Sequence, residues 1–199
     1  MTATYLIEPA READIRWLSE IERAAVSLFD PGHLPESALT DTTSVEEFQA
    51  AHRAGLLWVA RSPDEVVGFA LVELLQGQPH LEEIDVHPSH GRRGVGRALM
   101  STVLNWARAA GYRSITLTTF RDVPWNAPFY ERLGFYILHP SELTPELDAV
   151  VREETARGLD RDRRVVMRCE LTASNKPLQP TRAAEANGKR EQLRCGPRG

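Results

Sequence analysis

Cysteine is nearly absent. Among 199 residues only Cys169 and Cys195 occur, at no metal-like spacing, so neither a disulfide framework nor a thiolate metal cluster is expected. Long apolar runs are lacking too. "LLWVA" and "GFALV" fall far short of the ~20 residues that span a bilayer. The start "MTATYLIEPAREADIRW" has no basic segment leading into an apolar one. No signal peptide and no membrane partner are expected, and the chain reads as cytoplasmic. There is no basic excess: the formal net charge of −4 argues against a general nucleic-acid binder.

What is present suits a folded domain with a tail. Hydrophobic residues make up 42% of the chain, enough for an ordinary core. Residues 172–199 carry a charge of +4 and hold three prolines and no aromatic residue, which leaves −8 for residues 1–171. The expected division is one domain over 1–171 and a disordered basic tail over 172–199.

The domain alternates strand and helix signals. "TYLIEP" reads as a strand. "AREADIRWLSEIERAAV" carries Ile15, Leu18, Ile21 and Val26 at helical spacing. Ser44 and Glu47 form a capping box before "VEEFQAAHRAG", and Gly55 stops that helix. Two apolar strands flank "SPDE", with Gly68 marking a bulge or a close backbone approach. "HLEEIDVHP" is a strand ended by Pro88. Val95 to Ala110 is a helix with Val95, Leu99, Val103, Trp106 and Ala110 on its apolar stripe, ended by Gly111. "SITLTTF" is a strand and Asn126 to Leu133 a short helix. "TPELDAVVREETARG" is helical, and "RRVVMRCEL" closes the fold as a strand. This alternation predicts an α/β arrangement, a mixed sheet with helices on its faces.

The most informative stretch is "HPSHGRRGVGRALM". A strand, a glycine turn and a helix start follow in order, so free N–H groups and the positive end of a helix dipole are offered to an anion. Gly91, Gly94 and Gly96 allow backbone to approach a phosphate, and Arg92, Arg93 and Arg97 add charge. The spacing G-x-x-G-x-G is neither the dinucleotide fingerprint nor a P-loop.

"IDVHPSHGRRGVGRALM" resembles the acyl-CoA motif of the GNAT superfamily of N-acyltransferases, and "NAPFYERLGF" resembles its second signature. The resemblance runs from about Tyr5 to Leu171 and implies a mostly antiparallel sheet of about seven strands flanked by helices. It implies acetyl-CoA as cosubstrate and no metal. The CoA pyrophosphate falls to the amides of Arg92, Arg93, Gly94, Val95, Gly96 and Arg97, and the pantetheine pairs with the strand at Asp85 and Val86. Two positions depart from the pattern. Gly91 stands where the family has Gln or Arg, with Arg92 and His90 nearby to compensate. Val123 stands where an Asn is usual, so a CoA contact passes to Asn126, which could instead cap its helix.

Acyl transfer to an amine requires a base for the ammonium proton and a donor for the departing thiolate. The resemblance gives Tyr130 the role of general acid, while "F-Y-x-x-L" alone would place it at the edge of a Phe129–Leu133 core pair. Strand alternation puts Ile84 and Val86 on one face and Glu83, Asp85 and His87 on the other. Glu83 matches the family's glutamate, with Glu82 and His80 kept as alternatives because a bulge would switch parity. Trp58 and Trp125 are either core or acceptor pocket, and the acceptor loop is Asp30 to Ser37. The expected activity is acetyl transfer to a primary amine of a small molecule. The alternatives are a protein or peptide acceptor, a CoA-binding module without transfer, or a nucleotide binder. A homodimer is compatible with all of these.

Overall fold

In a computed structural model, residues 4–30, 32, 34–35 and 42–171 are described. The tail from 172, Cys195 and half of the acceptor loop Asp30–Ser37 lie outside them. Seven strands form one sheet: β1 (Leu6–Pro9), β2 (Leu57–Arg61), β3 (Val66–Leu75), β4 (Gln78–Val86), β5 (Ser114–Phe120), β6 (Tyr136–Ile137) and β7 (Arg164–Glu170). Their spatial order is β1-β2-β3-β4-β5-β7-β6, and β4–β5 is the parallel neighbour pair. Among the described residues, five α-helices complete the order: α1 (Ile15–Val26), α2 (Val45–Ala54), α3 (Val95–Ala109), α4 (Ala127–Glu131) and α5 (Pro145–Ala156).

Two helical layers sandwich the sheet. Helix α3 buries Leu99, Met100, Val103 and Leu104 against Trp58, Ala70, Leu81 and Leu117. On the other face, Leu18, Ile21 and Phe48 of α1 and α2 meet Val59, Phe69 and Leu71. Helix α5 adds Leu147 and Val151 over Val166. The predicted stripe of α3 is rotated: Met100, Leu104 and Ala107 are buried, whereas Ala110 is exposed just beyond the last turn. On α1, Ala25 is buried instead of Val26.

Local signals hold where the chemistry is local. The Ser44 hydroxyl accepts from the Glu47 amide at 3.2 Å, and the Ser44 amide donates to Glu47 at 2.7 Å. Gly55 ends α2 at φ 70°. A tight turn at Gln76 and Gly77, both at positive φ, pairs Leu75 with Gln78 and starts β4 two residues before His80.

Two irregularities shape the centre of the sheet. Val67 is an extra residue opposite the Ala60–Arg61 step. Its neighbour Gly68 lies so close to β4 that a Cβ there would meet the Asp85 carbonyl oxygen at 2.6 Å. In β4, Leu71 pairs with Glu83 and Val72 with Leu81, so Glu82 is an unpaired bulge residue. The bulge switches parity: Leu81 and Ile84 both face α3, and Glu83 and Asp85 turn to the α1 side with His80.

Candidate active site at the splayed strands

β4 and β5 separate. Their ladder is His80↔Thr116 and Leu81↔Leu117, whereas the antiparallel pairing of β4 with β3 runs on to Gly68↔Val86. Beyond Leu81 the β5-facing edge of β4 is therefore left to a partner other than β5. The glycine loop follows directly, at the open end.

The loop is fixed by its own residues. The Gly91 amide donates to the Pro88 carbonyl at 3.0 Å, and the Tyr5 hydroxyl lies 3.1 Å from His90 Nδ1. His90 Nε2 lies 3.2 Å from Glu65, so this ring is already engaged and does not replace the side chain missing at Gly91. Arg93 donates to the Tyr5 hydroxyl at 3.3 Å. Arg92 adopts φ 60° and Gly94 φ 84°. A non-glycine residue in the left-handed region is a local cost. Gly94 precedes α3 and supplies no side-chain cap. The amides of Val95, Gly96 and Arg97 are thus first-turn donors without intrahelical acceptors. A Cβ on Gly96 would meet Val86 Cγ2 at 3.8 Å and Phe129 Cζ at 3.9 Å, ordinary contacts. Crowding within the protein therefore does not demand glycine there, while close approach of a ligand would.

Tyr130 is buried in the α3-side core, 7% exposed, with its ring 5.1 Å from Phe129 and 5.7 Å from Phe135. The expected helix face is thereby corrected: Tyr130 is buried and Phe129 is half-buried, because five residues of helix turn Ala127, Tyr130 and Leu133 inward. Among the described residues the Tyr130 hydroxyl has no hydrogen-bond partner. Burial, then the Glu83 and Asp85 carboxylates, push it well above the ordinary phenol range. Asn126 does not cap α4 through its side chain; its carbonyl accepts from the Phe129 and Tyr130 amides.

The acidic face of β4 is crowded. Burial, followed by the charges of Glu22 and Glu82, pushes Glu83 up to about 8. Asp85 is raised well above the carboxylate range by burial, then by Glu83 and Glu22. Glu22 is buried on α1 and raised by burial, although the Thr43 amide donates to it at 3.0 Å. Sequence reasoning missed Glu22; its signal was a charged residue inside the stripe Leu18–Ile21–Ala25. Burial raises Glu82 and pushes Glu73 up to about 7 beside it. Burial pulls His80 down to about 4, which leaves a neutral ring at neutral pH. Behind them Arg164 pairs with Glu154, and both bond Thr118, a cluster also missed.

The tryptophans divide. Trp58 is core, 5.2 Å from Trp106. Trp125 is exposed and, with Phe29, Asp30 and Val123, lines a cleft of about 210 Å³. A neighbouring cleft of about 330 Å³ lies between Arg23, Phe29 and Leu34.

Residues 18–135 match the family model described as the acetyltransferase (GNAT) family. Human N-acetyltransferase 8 is 31% identical over 103 residues, covering 48% of this chain and 45% of that protein. Rat N-acetyltransferase 8B is 31% identical over 102 residues, covering 48% and 46%. The chain thus spans about half the length of the curated relatives it matches. The fold is shared with a GNAT-family acetyltransferase from Staphylococcus aureus, TM-score 0.65 at 15% identity over 85% of this chain and all of that one. It is shared also with the PaiA N-acetyltransferase of Thermoplasma acidophilum, solved with coenzyme A, TM-score 0.64 at 15% identity over 84% and 99%. No helix among the described residues is long and apolar enough to cross a membrane. The family match covers more than half of the chain, including the glycine loop and Tyr130, and the chain belongs to the acetyltransferase (GNAT) family.

Proposed function

We propose that residues 1–171 form a cytoplasmic N-acetyltransferase that moves the acetyl group of acetyl-CoA onto a primary amine of a small molecule. The observation that carries this reading is the open β4 edge, with the glycine loop at its end and Tyr130 beside it. The amides of Arg92 to Arg97 suit the CoA pyrophosphate, with the Arg92 and Arg97 side chains adding charge. The backbone at Asp85 and Val86 suits the pantetheine amides as a neighbouring strand would, and the half-buried Asn126 stands at the start of α4 beside that path. The domain boundary is supported by Leu171, which is buried and donates to the Arg113 carbonyl at 2.7 Å.

The amine arrives as an ammonium near pKa ~10.4. A carboxylate at its ordinary ~4.3 is a poor base for it, and burial narrows that gap by pushing Glu83 to about 8. Glu83 takes the first proton and passes it to solvent. The free amine nitrogen attacks the thioester carbon, forming the N–C bond. The C–S bond then breaks, and the nitrogen's second proton balances the thiol that leaves. Tyr130 sits above its ordinary range and keeps its proton, so it hydrogen-bonds the departing thiolate and hands on a proton without becoming a stable phenolate. A cationic acceptor beside Glu22, Glu83 and Asp85 would favour the ionised forms that burial disfavours.

The test is thiol release from acetyl-CoA across a library of small amines, with the purified chain and with Glu83→Gln. The reading expects turnover on at least one amine, and a Glu83→Gln deficit that is largest near pH 7 and shrinks as free amine forms at high pH. Acetyl-CoA binding without turnover on any amine or peptide would leave only a CoA-binding module. Equal activity of Glu83→Gln at every pH would remove Glu83 as the base.

A further inference from the structure

His80 is 1% exposed. Its Nδ1 is 2.8 Å from the Thr116 hydroxyl across one of the two paired rungs of β4 and β5. The other ring nitrogen, Nε2, has no hydrogen-bond partner among the described residues. Directly opposite His80 in the β3–β4 ladder is Glu73, and two residues on is the bulge residue Glu82. One donor atom from each of Glu73, His80 and Glu82 lies within 4.8 Å of the other two.

Each part has an ordinary explanation by itself. Two carboxylates can share a proton, and a core histidine can rest on one hydrogen bond. Together they make a donor set. Thr116 accepts from Nδ1–H in the tautomer that leaves Nε2 with a lone pair, which is how a ligating imidazole is commonly oriented. Glu73 and Glu82 supply two anionic oxygens, and their mutual repulsion falls when a cation lies between them. The residues sit on two adjacent strands of the central sheet, whose paired backbones hold them without a loop's freedom. We propose that Glu73, His80 and Glu82 bind one divalent transition-metal ion.

The donor chemistry selects the ion. One imidazole nitrogen with two carboxylate oxygens suits Zn²⁺ and its late first-row neighbours. Mg²⁺ and Ca²⁺ want six or more oxygens and gain little from an imidazole. Three protein ligands leave a coordination position for water. Sequence spacing held no metal motif, because Glu73 and His80 become neighbours through the Gln76–Gly77 turn and not through a fixed offset on one helix.

The experiment is calorimetric titration of the tag-free, chelator-stripped full chain with Zn²⁺ alone and with Mg²⁺ alone, without acetyl-CoA or amine. Its outcome is therefore separate from the transfer reading. One Zn²⁺ per chain is expected, with no measurable Mg²⁺ binding. Glu73→Gln and Glu82→Gln should each weaken Zn²⁺ by at least roughly tenfold, and Thr116→Val by a similar or smaller factor, because His80 Nδ1 loses the hydroxyl that orients its ring. Ligand-field absorption of bound Co²⁺ should change in all three variants. Since buried His80 is needed for packing, the carboxylate and threonine variants carry the test, each checked by its melting curve. Absence of Zn²⁺ binding in the parent overturns the proposal. So does binding that survives both carboxylate variants unchanged, which would place the ion on the half-buried His87 and His90 of the loop.

Discussion

Strand β4 has two edges built in opposite ways. Toward β3 it is paired from Gln78 to Val86, broken only at the bulge residue Glu82. Toward β5 its pairing is confined to His80 and Leu81. The same residues thus serve stability on one side and, in the function proposed above, binding on the other. The zipped edge holds the backbone rigid over a core of Phe69, Leu71 and Phe48. The splayed edge leaves backbone groups that a ligand's amides can satisfy, and it brings Tyr130 from α4 near carboxylates on the opposite face of the sheet. Unpaired buried backbone is costly, so a strand edge left open in a core needs a reason.

The comparison predicts different penalties on the two sides. The largest belongs to the open side. Tyr130→Phe keeps the ring and its packing, so acetyl-CoA affinity should hold while kcat falls by roughly 10²–10⁴. Stopped-flow turnover beside calorimetric binding separates the two, and full activity would move the thiolate's donor elsewhere. Next comes the zipped side: Phe69→Ala, fully buried against Phe48, should cost about 3–5 kcal/mol in urea unfolding. If it instead weakened acetyl-CoA binding at unchanged stability, the division between the edges would be wrong.

The glycine loop gives a smaller effect. Gly96 has room for a Cβ within the protein, so Gly96→Val should leave the melting temperature nearly unchanged and weaken acetyl-CoA by about tenfold or more, about 1.4 kcal/mol. Gly94 is a poorer probe. Its φ of 84° makes any side chain strained, so lost binding there would mix strain with blockage. Unchanged affinity in Gly96→Val would take the pyrophosphate away from this loop.

The smallest effect is on pH and stability. Glu83 holds its proton more tightly folded than unfolded, since its carboxyl is pushed to about 8. The folded state therefore loses stability as pH climbs from the ordinary carboxylate range through about 8. Glu83→Gln removes this slope. Its melting temperature should match the parent near pH 4 and exceed it by a few degrees at pH 8. Parallel pH–Tm curves for both proteins would show that Glu83 is not desolvated.

The order of the strands and helices could be read from the chain because their signals are local: a capping box at Ser44, glycine stops at Gly55 and Gly111, and apolar periods in α3. The glycine loop was legible for the same reason, since a turn and a helix start are set by residues next to each other. Tyr130 could be named from its motif, but its burial could not. With five residues in α4, the inward face is chosen by what α4 packs on and not by a full period.

The limit is clearest in β4. Alternation alone tells which of Glu82, Glu83 and Asp85 share a face only while the strand is regular, and the bulge at Glu82 is a product of pairing with β3. Glu22, Glu73 and Glu154 meet this strand from other elements, so their proximity is invisible along the chain. Local dihedral and capping preferences are written in neighbouring residues. Register, strand separation and the convergence of carboxylates arise from contacts between distant segments, and these the tertiary structure alone decided.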